Sequence, residues 1–341
     1  MAKYNSLHQE KPWVLAHLSD LHLARTAGLR LRDLCGKRFL GWLRWHLKRR
    51  FRQDERLLTT LGRDLQQTAP DHIAITGDLC HLSLTAEFAA ARAWLERLED
   101  PARCSLVLGN HDQYVATAQE HNWGLFLPWL KGDTPLADAY YPAQLDALFP
   151  LVQQRGRMVL ISLNTARPSA PHLASGAIGA AQLERLRQIF IKLQGQPLFR
   201  IVLLHHPPVQ GLLSRRRGLA DGAELRALLR QCGAELILCG HSHHRFIASL
   251  PGPCDPIPVV GAPSITSIES RPEKRSRYFL ITIQADNDLQ PDDSGSSGWQ
   301  IRLKSRLLAP DGQGFIDDPE ERMFRVAAPA GRPARTACAG G

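Results

Sequence analysis

The 341-residue sequence has no run of about 18 apolar residues, the length a helix needs to cross a bilayer, so a transmembrane helix is excluded. It has no CxxC pair either. Its seven cysteines (35, 80, 104, 232, 239, 254 and 338) are odd in number and scattered, which suits reduced thiols and gives none of them a catalytic part. The segment Met1 to Lys11 is polar and lacks an apolar core, so no secretory leader is expected and a cytoplasmic location follows. No repeat of fixed period occurs. Acidic residues are scarce in one place: residues 30–52 hold nine Lys or Arg against Asp33 alone, so most of the chain's excess of +9 is one patch.

Apolar residues at 44% and charged residues at 22% describe a globular chain with ample core material. Five short apolar runs each stop at residues able to bind a metal. Val14 to Ser19 precedes Asp20 and His22, and His72 to Thr76 precedes Gly77 and Asp78. Ser105 to Leu108 precedes Gly109, Asn110, His111 and Asp112; Ile201 to Leu204 precedes His205 and His206; Glu235 to Cys239 precedes Gly240, His241, Ser242, His243 and His244. A β-branched and aliphatic run ending at such a loop reads as a buried strand. Helical spacing lies between them: Gln53 to Gln67, a helix capped by Ser83 or Thr85 and running to Leu98, Gly179 to Leu193, and Asp221 to Cys232. Strand, helix, strand in alternation predicts an α/β fold with parallel strands and ligands at their carboxyl ends. Met158 to Leu163, Ile257 to Val260, Arg277 to Ile283 and Trp299 to Leu308 add strands; Asp286 to Gly298 reads as turn, and Tyr114 to Pro150 as irregular chain whose Trp123, Trp129, Tyr140 and Tyr141 either wall a pocket or pack on the surface. One domain over 12–308 is expected, with a basic insertion at 30–52 and a poorly ordered tail at 309–341.

Asp20, His22, Asp78, Asn110, His205, His241 and His243 offer carboxylate, amide and imidazole donors and no thiolate. That set suits manganese, iron, zinc or cobalt. Seven ligands are too many for one open catalytic ion and suit two ions, about 3.5–4 Å apart, that clamp a phosphate.

The series Asp20-x-His22, Gly77-Asp78, Gly109-Asn110-His111-Asp112, His205 before Pro207, and Gly240-His241-x-His243 resembles the calcineurin-like metallophosphoesterase superfamily over about Val14 to Val260. The resemblance implies a four-layer αββα sandwich with two mixed sheets, which the strand pattern alone does not give. It also implies a dinuclear site in which Asp20, His22 and His243 hold one divalent metal, Asn110, His205 and His241 the other, and Asp78 bridges them. His111 would face the phosphoester substrate as a stabilising or proton-donating group, with Asp112 orienting it. The implied reaction is hydrolysis of a nucleotide-type phosphodiester by a metal-held hydroxide. Two alternatives stand beside it: a membrane-associated pyrophosphohydrolase of a lipid-linked nucleotide such as UDP-2,3-diacylglucosamine, and a catalytically silent scaffold. His206 and His244 remain open between pocket wall and supporting group; His17, His46, His72, His81, His121 and His172 are expected to be structural or on the surface.

In the insertion, Phe39, Leu40, Trp42, Leu43, Leu47 and Phe51 share one side of a helix over 37–52, and Lys37, Arg38, Arg44, Lys48, Arg49 and Arg52 the other, with Trp45 and Arg50 off pattern. Such a helix either lies in an anionic membrane interface, at the inner face of the membrane, or docks on its own domain. It follows the first metal loop, where it can roof the site. Arg215 to Arg217 are further candidates to meet phosphate. No appended nucleic-acid module is visible, which argues against a nuclease, and the sequence is silent on oligomeric state.

Overall fold

A computed structural model describes residues 11–25, 29–34, 36–116, 118, 121–133, 145–286 and 298–327. In chain order the elements are β1 (Trp13–Leu18), α1 (Lys37–Leu47), α2 (Leu57–Thr68), β2 (His72–Ile75), α3 (Thr85–Leu98), β3 (Cys104–Leu106), α4 (Leu145–Leu148), β4 (Leu151–Arg155), β5 (Met158–Ser162), α5 (Ala180–Leu193), β6 (Phe199–Leu203), α6 (Gly222–Cys232), β7 (Leu236–Cys239), β8 (Phe246–Leu250), β9 (Ile257–Gly261), β10 (Arg277–Asp286), β11 (Gly298–Leu308), β12 (Phe315–Asp317) and β13 (Arg322–Val326).

The strands form two mixed sheets. One has the order β12-β11-β10-β1-β2-β3, with β13 also on β11; the other has the order β4-β5-β6-β7-β9-β8. β1, β2 and β3 run parallel, as do β5, β6, β7 and β9, while β10 and β11 pair antiparallel. Because successive side chains leave a strand on opposite faces, each central strand feeds two cores. Leu15 of β1, Leu160 of β5, Ile201 of β6 and Leu238 of β7 meet between the sheets. Ala16 and Leu18 turn the other way onto Leu61 and Leu65 of α2 and Phe88 of α3, and Val159, Val202 and Ile237 turn onto Phe190 of α5 and Leu229 of α6. Three cores separate four layers, helix, sheet, sheet, helix, as the resemblance implied.

Local details depart from the sequence reading. Residues 53–56 are not helical: Asp54 accepts from Arg56 N at 2.9 Å and α2 begins at Leu57. α3 is capped by neither Ser83 nor Thr85; the Glu87 carboxylate accepts from Leu82 N at 2.7 Å and from His81 N and Leu84 N at 3.2 Å. Trp123 and Trp129 are buried in the core under α3, not packed on the surface. The tail expected from 309 is corrected as well, since β12 and β13 extend the first sheet, with Leu308 opposite Phe315 and Trp299 opposite Val326. Tyr140, Tyr141, the turn at 287–297, residues 328–341, Cys35 and Cys338 lie outside the described residues.

Candidate metal centre

All five strand-to-loop junctions open on the same edge, at the carboxyl ends of β1, β2, β3, β6 and β7, where ligands gather in open α/β sheets. The loops are held to each other by backbone bonds. Asp20 N donates to Gly77 O at 3.0 Å, His22 N to Asp78 O at 2.9 Å, and Gly240 N to His205 O at 3.1 Å. Such close approach needs glycine at two points: a Cβ on Gly109 would lie 2.1 Å from Asp78 Oδ1, and one on Gly240 would lie 1.9 Å from Ser19 Oγ. Strain is concentrated here too. Of the eight described non-glycine residues with positive φ, five are Asp20, His22, Asp78, His241 and His243. Left-handed backbone at so many polar side chains is characteristic of a site that fixes their direction.

Each carboxylate is divided between backbone and imidazole. His241 N donates to Asp20 Oδ2 at 3.0 Å, which leaves Asp20 Oδ1 buried without a hydrogen-bond partner, 3.2 Å from His243 Nε2 and 3.6 Å from His22 Nε2. His111 N donates to Asp78 Oδ1 at 2.7 Å, and Asp78 Oδ2 sits 3.8 Å from His22 Nε2 and 3.4 Å from His205 Nε2. Asp78 therefore stands between two groups. On one side are Asp20, His22 and His243, with His22 Nε2 only 2.9 Å from His243 Nε2. On the other are His205, Asn110 and His241: Asn110 Oδ1 is 3.2 Å from His205 Nε2, and the His205 and His241 rings are 5.0 Å apart.

Partners outside the cluster set the tautomers. His205 Nδ1–H donates to Thr76 O at 2.7 Å, turning Nε2 inward, and His241 Nε2–H donates to Arg217 O at 2.8 Å. Burial alone would raise the Asp20 carboxyl, yet His243, His22 and His205 hold it well below the usual carboxylate range. Burial would likewise raise Asp78, and His205 and His22 bring it down. His205 goes up to about 9, because Asp78 and Asp20 outweigh its burial. The orphaned Asp20 oxygen and inward imidazole nitrogens, with no thiolate, fit two borderline divalent cations.

His111 lies beside this cluster, its ring 4.8 Å from that of His22. Its expected partner is corrected: Asp112 accepts from Cys80 N and Gly109 N, each at 2.8 Å, and ties two ligand loops together. Burial, with Asp78 nearby, pushes Asp112 up to about 7. His111 Nδ1–H instead donates to His81 O at 2.6 Å, and because arginine has only donors, its Nε2 accepts from Arg49 Nη1 at 3.2 Å. The imidazole is neutral, its pKa lowered by burial first and by Arg49 next. His206 is occupied on both nitrogens, by Thr165 Oγ1 at 2.8 Å and Ala174 O at 3.2 Å, beside the His241 ring. His244 lines the cleft.

The sequence reading missed several neighbours. His81 is buried against the cluster, its ring stacked on His111 at 5.2 Å, and His172 lines the cleft. Tyr114 stacks on the other face of His111 at 5.2 Å, with Lys37 Nζ 4.4 Å from its ring centre. No local signal reveals these contacts, since they join segments far apart in the chain. The basic insertion does roof the site, with Lys37, Gly41, Arg44 and Arg49 toward the cleft. Arg38 donates to Leu82 O at 3.0 Å, Gly41 sits against Leu82 and Tyr114, and Trp45 lies 4.8 Å from the His81 ring, while Phe39, Leu40, Leu43, Leu47 and Phe51 point to solvent.

The family model for calcineurin-like phosphoesterases matches residues 14–245, more than half of the chain, and the chain belongs to that family. Among curated relatives, it is 27% identical over 187 residues to a probable cyclic nucleotide phosphodiesterase of Synechococcus sp., covering 54% of this chain and 62% of that protein. A second probable cyclic nucleotide phosphodiesterase, from Synechococcus sp. strain WH7803, is 26% identical over 208 residues, covering 58% of this chain and 68% of that one. The match thus spans less than two thirds of the first relative. The fold is similar to a dimetal phosphatase of Danio rerio (TM-score 0.56, 11% identity, 93% of this chain and 99% of that one). It is also similar to the purple acid phosphatase PPD1 of yellow lupin (TM-score 0.52, 13% identity, 94% and 54%).

Proposed function

We propose that the chain hydrolyses a phosphodiester of nucleotide type at a site holding two divalent cations, with Asp20, His22 and His243 around one, Asn110, His205 and His241 around the other, and Asp78 between them. The observation that carries this reading is the position of Asp78 Oδ2, 3.8 Å from one imidazole group and 3.4 Å from the other. When bound, two such ions supply Lewis acidity toward the phosphoryl oxygens and an activated water at neutral pH. The chain's own residues do the rest. His111 presents its Nε2 to the cleft, steadied by the His81 carbonyl; once Arg49 releases it, that nitrogen can take up the proton the attacking water loses and pass it to the leaving group. Asp112 keeps the β2 and β3 loops in register. All seven ligand positions carry donors, which speaks against the silent scaffold, and the names of the Synechococcus relatives favour a nucleotide substrate.

The test is metal content together with turnover of bis-p-nitrophenyl phosphate in manganese. Removing an outer partner of a ligand already costs about 10–100-fold. Asp78→Asn should therefore lose at least about a hundredfold, and lose bound metal, while His244→Ala stays within about threefold. Equal effects would reject the bridging role.

A second reading rests on the outward face of α1. Five of the eleven exposed large apolar side chains among the described residues fall between Phe39 and Phe51, beside Arg44, Lys48 and Arg50. Apolar residues edged by cations suit the surface of an anionic membrane. In that reading the enzyme is peripheral at the inner face of the membrane and its substrate is a lipid-linked nucleotide. No helix among the described residues is long and apolar enough to cross a membrane. Replacement of Phe39, Leu43 and Leu47 by serine should abolish co-sedimentation with anionic liposomes; unchanged sedimentation would reject this reading.

A further inference from the structure

The cleft over the metal centre, about 440 Å³, is lined on one side by the ligands and on the other by cations. Lys37, Arg44 and Arg49 come from the basic insertion, and Arg217 and Lys274 from two other loops. Among the described residues, no carboxylate lies within ion-pair distance of these five, whereas Arg52 beside them faces Glu269 at 3.9 Å. Arg49 is the one that touches His111. Its guanidinium gives one N–H to a neutral imidazole, the His111 Nε2; burial works against its charge most, Asp78 nearby favours it, and the cation Arg44 opposes it. With Asp78 and Asp20 claimed by metal ions, a cation so placed has no carboxylate left to offset it, and desolvated charges are stable only when paired. Two divalent ions would neutralise Asp20 and Asp78 and leave the wall cationic still. A lone diester brings one negative charge; the cleft is built for more.

We propose that Arg49, flanked by Lys37 and Arg217, forms a subsite for a second phosphoryl group of the substrate, next to the one held at the metal centre. This rests on the phosphoesterase reading and narrows its substrate to esters carrying two phosphoryl groups. The guanidinium fork matches phosphate oxygens with two parallel hydrogen bonds, a stronger claim on it than one imidazole nitrogen. Its departure also frees His111 Nε2. The same diphosphate can belong to a soluble nucleotide ester or to a lipid headgroup.

The experiment is calorimetric titration of the manganese-loaded full-length chain with ADP and with AMP. The wild type should bind ADP about tenfold more tightly than AMP, the worth of a charge-assisted contact. Arg49→Ala should erase that preference and Arg49→Lys should restore part of it. If Arg49→Ala does not fold, Arg217→Ala, on the exposed flank, takes its place and should reduce the preference about threefold. A preference that survives the substitution overturns the subsite. Because this is a binding measurement, it stands even if bis-p-nitrophenyl phosphate is not hydrolysed, a result that would instead reject the phosphoesterase reading. Cleavage of ADP-glucose in solution against CDP-diacylglycerol in phosphatidylcholine vesicles then separates the two sources. In either arm, a loss in Arg49→Ala no greater than its loss on bis-p-nitrophenyl phosphate would overturn the proposal.

Discussion

Two of the places where the molecule buries charge are built on opposite terms. At the start of β6, Arg200 and Glu235 are both buried; the guanidinium donates to the carboxylate at 2.7 and 3.0 Å and to Cys232 O at 2.9 Å, and Arg200 N donates to Glu235 Oε2 at 2.6 Å. The pair is closed. At the carboxyl ends of β1 and β2, Asp20 and Asp78 are as deeply buried, yet one Asp20 oxygen has no donor, two imidazole nitrogens face each other at 2.9 Å, and the backbone beneath is left-handed. A fold that can satisfy a buried ion pair so fully shows that the open cluster is not a limit of its packing. The open cluster is shaped for cations.

The comparison is broken most sharply on the closed side. Arg200→Ala strands a buried carboxylate and should cost about 3–5 kcal/mol in denaturant unfolding, with turnover per folded molecule unchanged. Replacing both partners with apolar residues of similar volume should recover most of that loss, as expected for a structural pair. A neutral Arg200→Ala would mean that the pair is not closed at all.

A smaller effect comes from a buried carboxylate intermediate between the two. Glu87 has backbone N–H donors, and burial outweighs those donors to push it up to about 7. Its folded value lies above its unfolded one, so the stability linked to it is complete below the unfolded value near pH 4.5 and is lost as pH rises through 7. Glu87→Gln should flatten the fall in melting temperature across that window. An unchanged pH profile would show that the backbone donors alone carry the charge.

What the sequence disclosed follows from the same physics. The seven clustered positions were legible because each lies in a loop that follows a buried strand, and parallel strands bring their carboxyl ends to one edge whatever lies between them. The double-layered sheet came from the resemblance, since strand spacing does not tell one sheet from two. The roof was half legible. Periodicity showed which residues of α1 share a face but not which face docks, and Gly41, Trp45 and Arg38 turned the cationic side inward because Leu82, Ser83 and the His81 ring await it there. His81 and Tyr114 were invisible because their role depends on stacking against His111 across the fold. β12 and β13 are short and mostly exposed, so they carry almost no hydrophobic signal.

The most direct test of the central claim is the melting of Asp20→Asn beside the wild type, without metal and with manganese. Asn keeps the acceptor for His241 N and tolerates the left-handed backbone, while it removes the charge of the orphaned oxygen. The prediction is that metal-free Asp20→Asn loses only the modest stabilisation that the imidazoles give the carboxylate, far less than Arg200→Ala loses, and that it loses the gain from manganese, about 2.7 kcal/mol for the wild type at a hundredfold excess over Kd. A metal-free Asp20→Asn destabilised as much as Arg200→Ala, with its manganese gain intact, would contradict it and make the cluster a structural pair like the other.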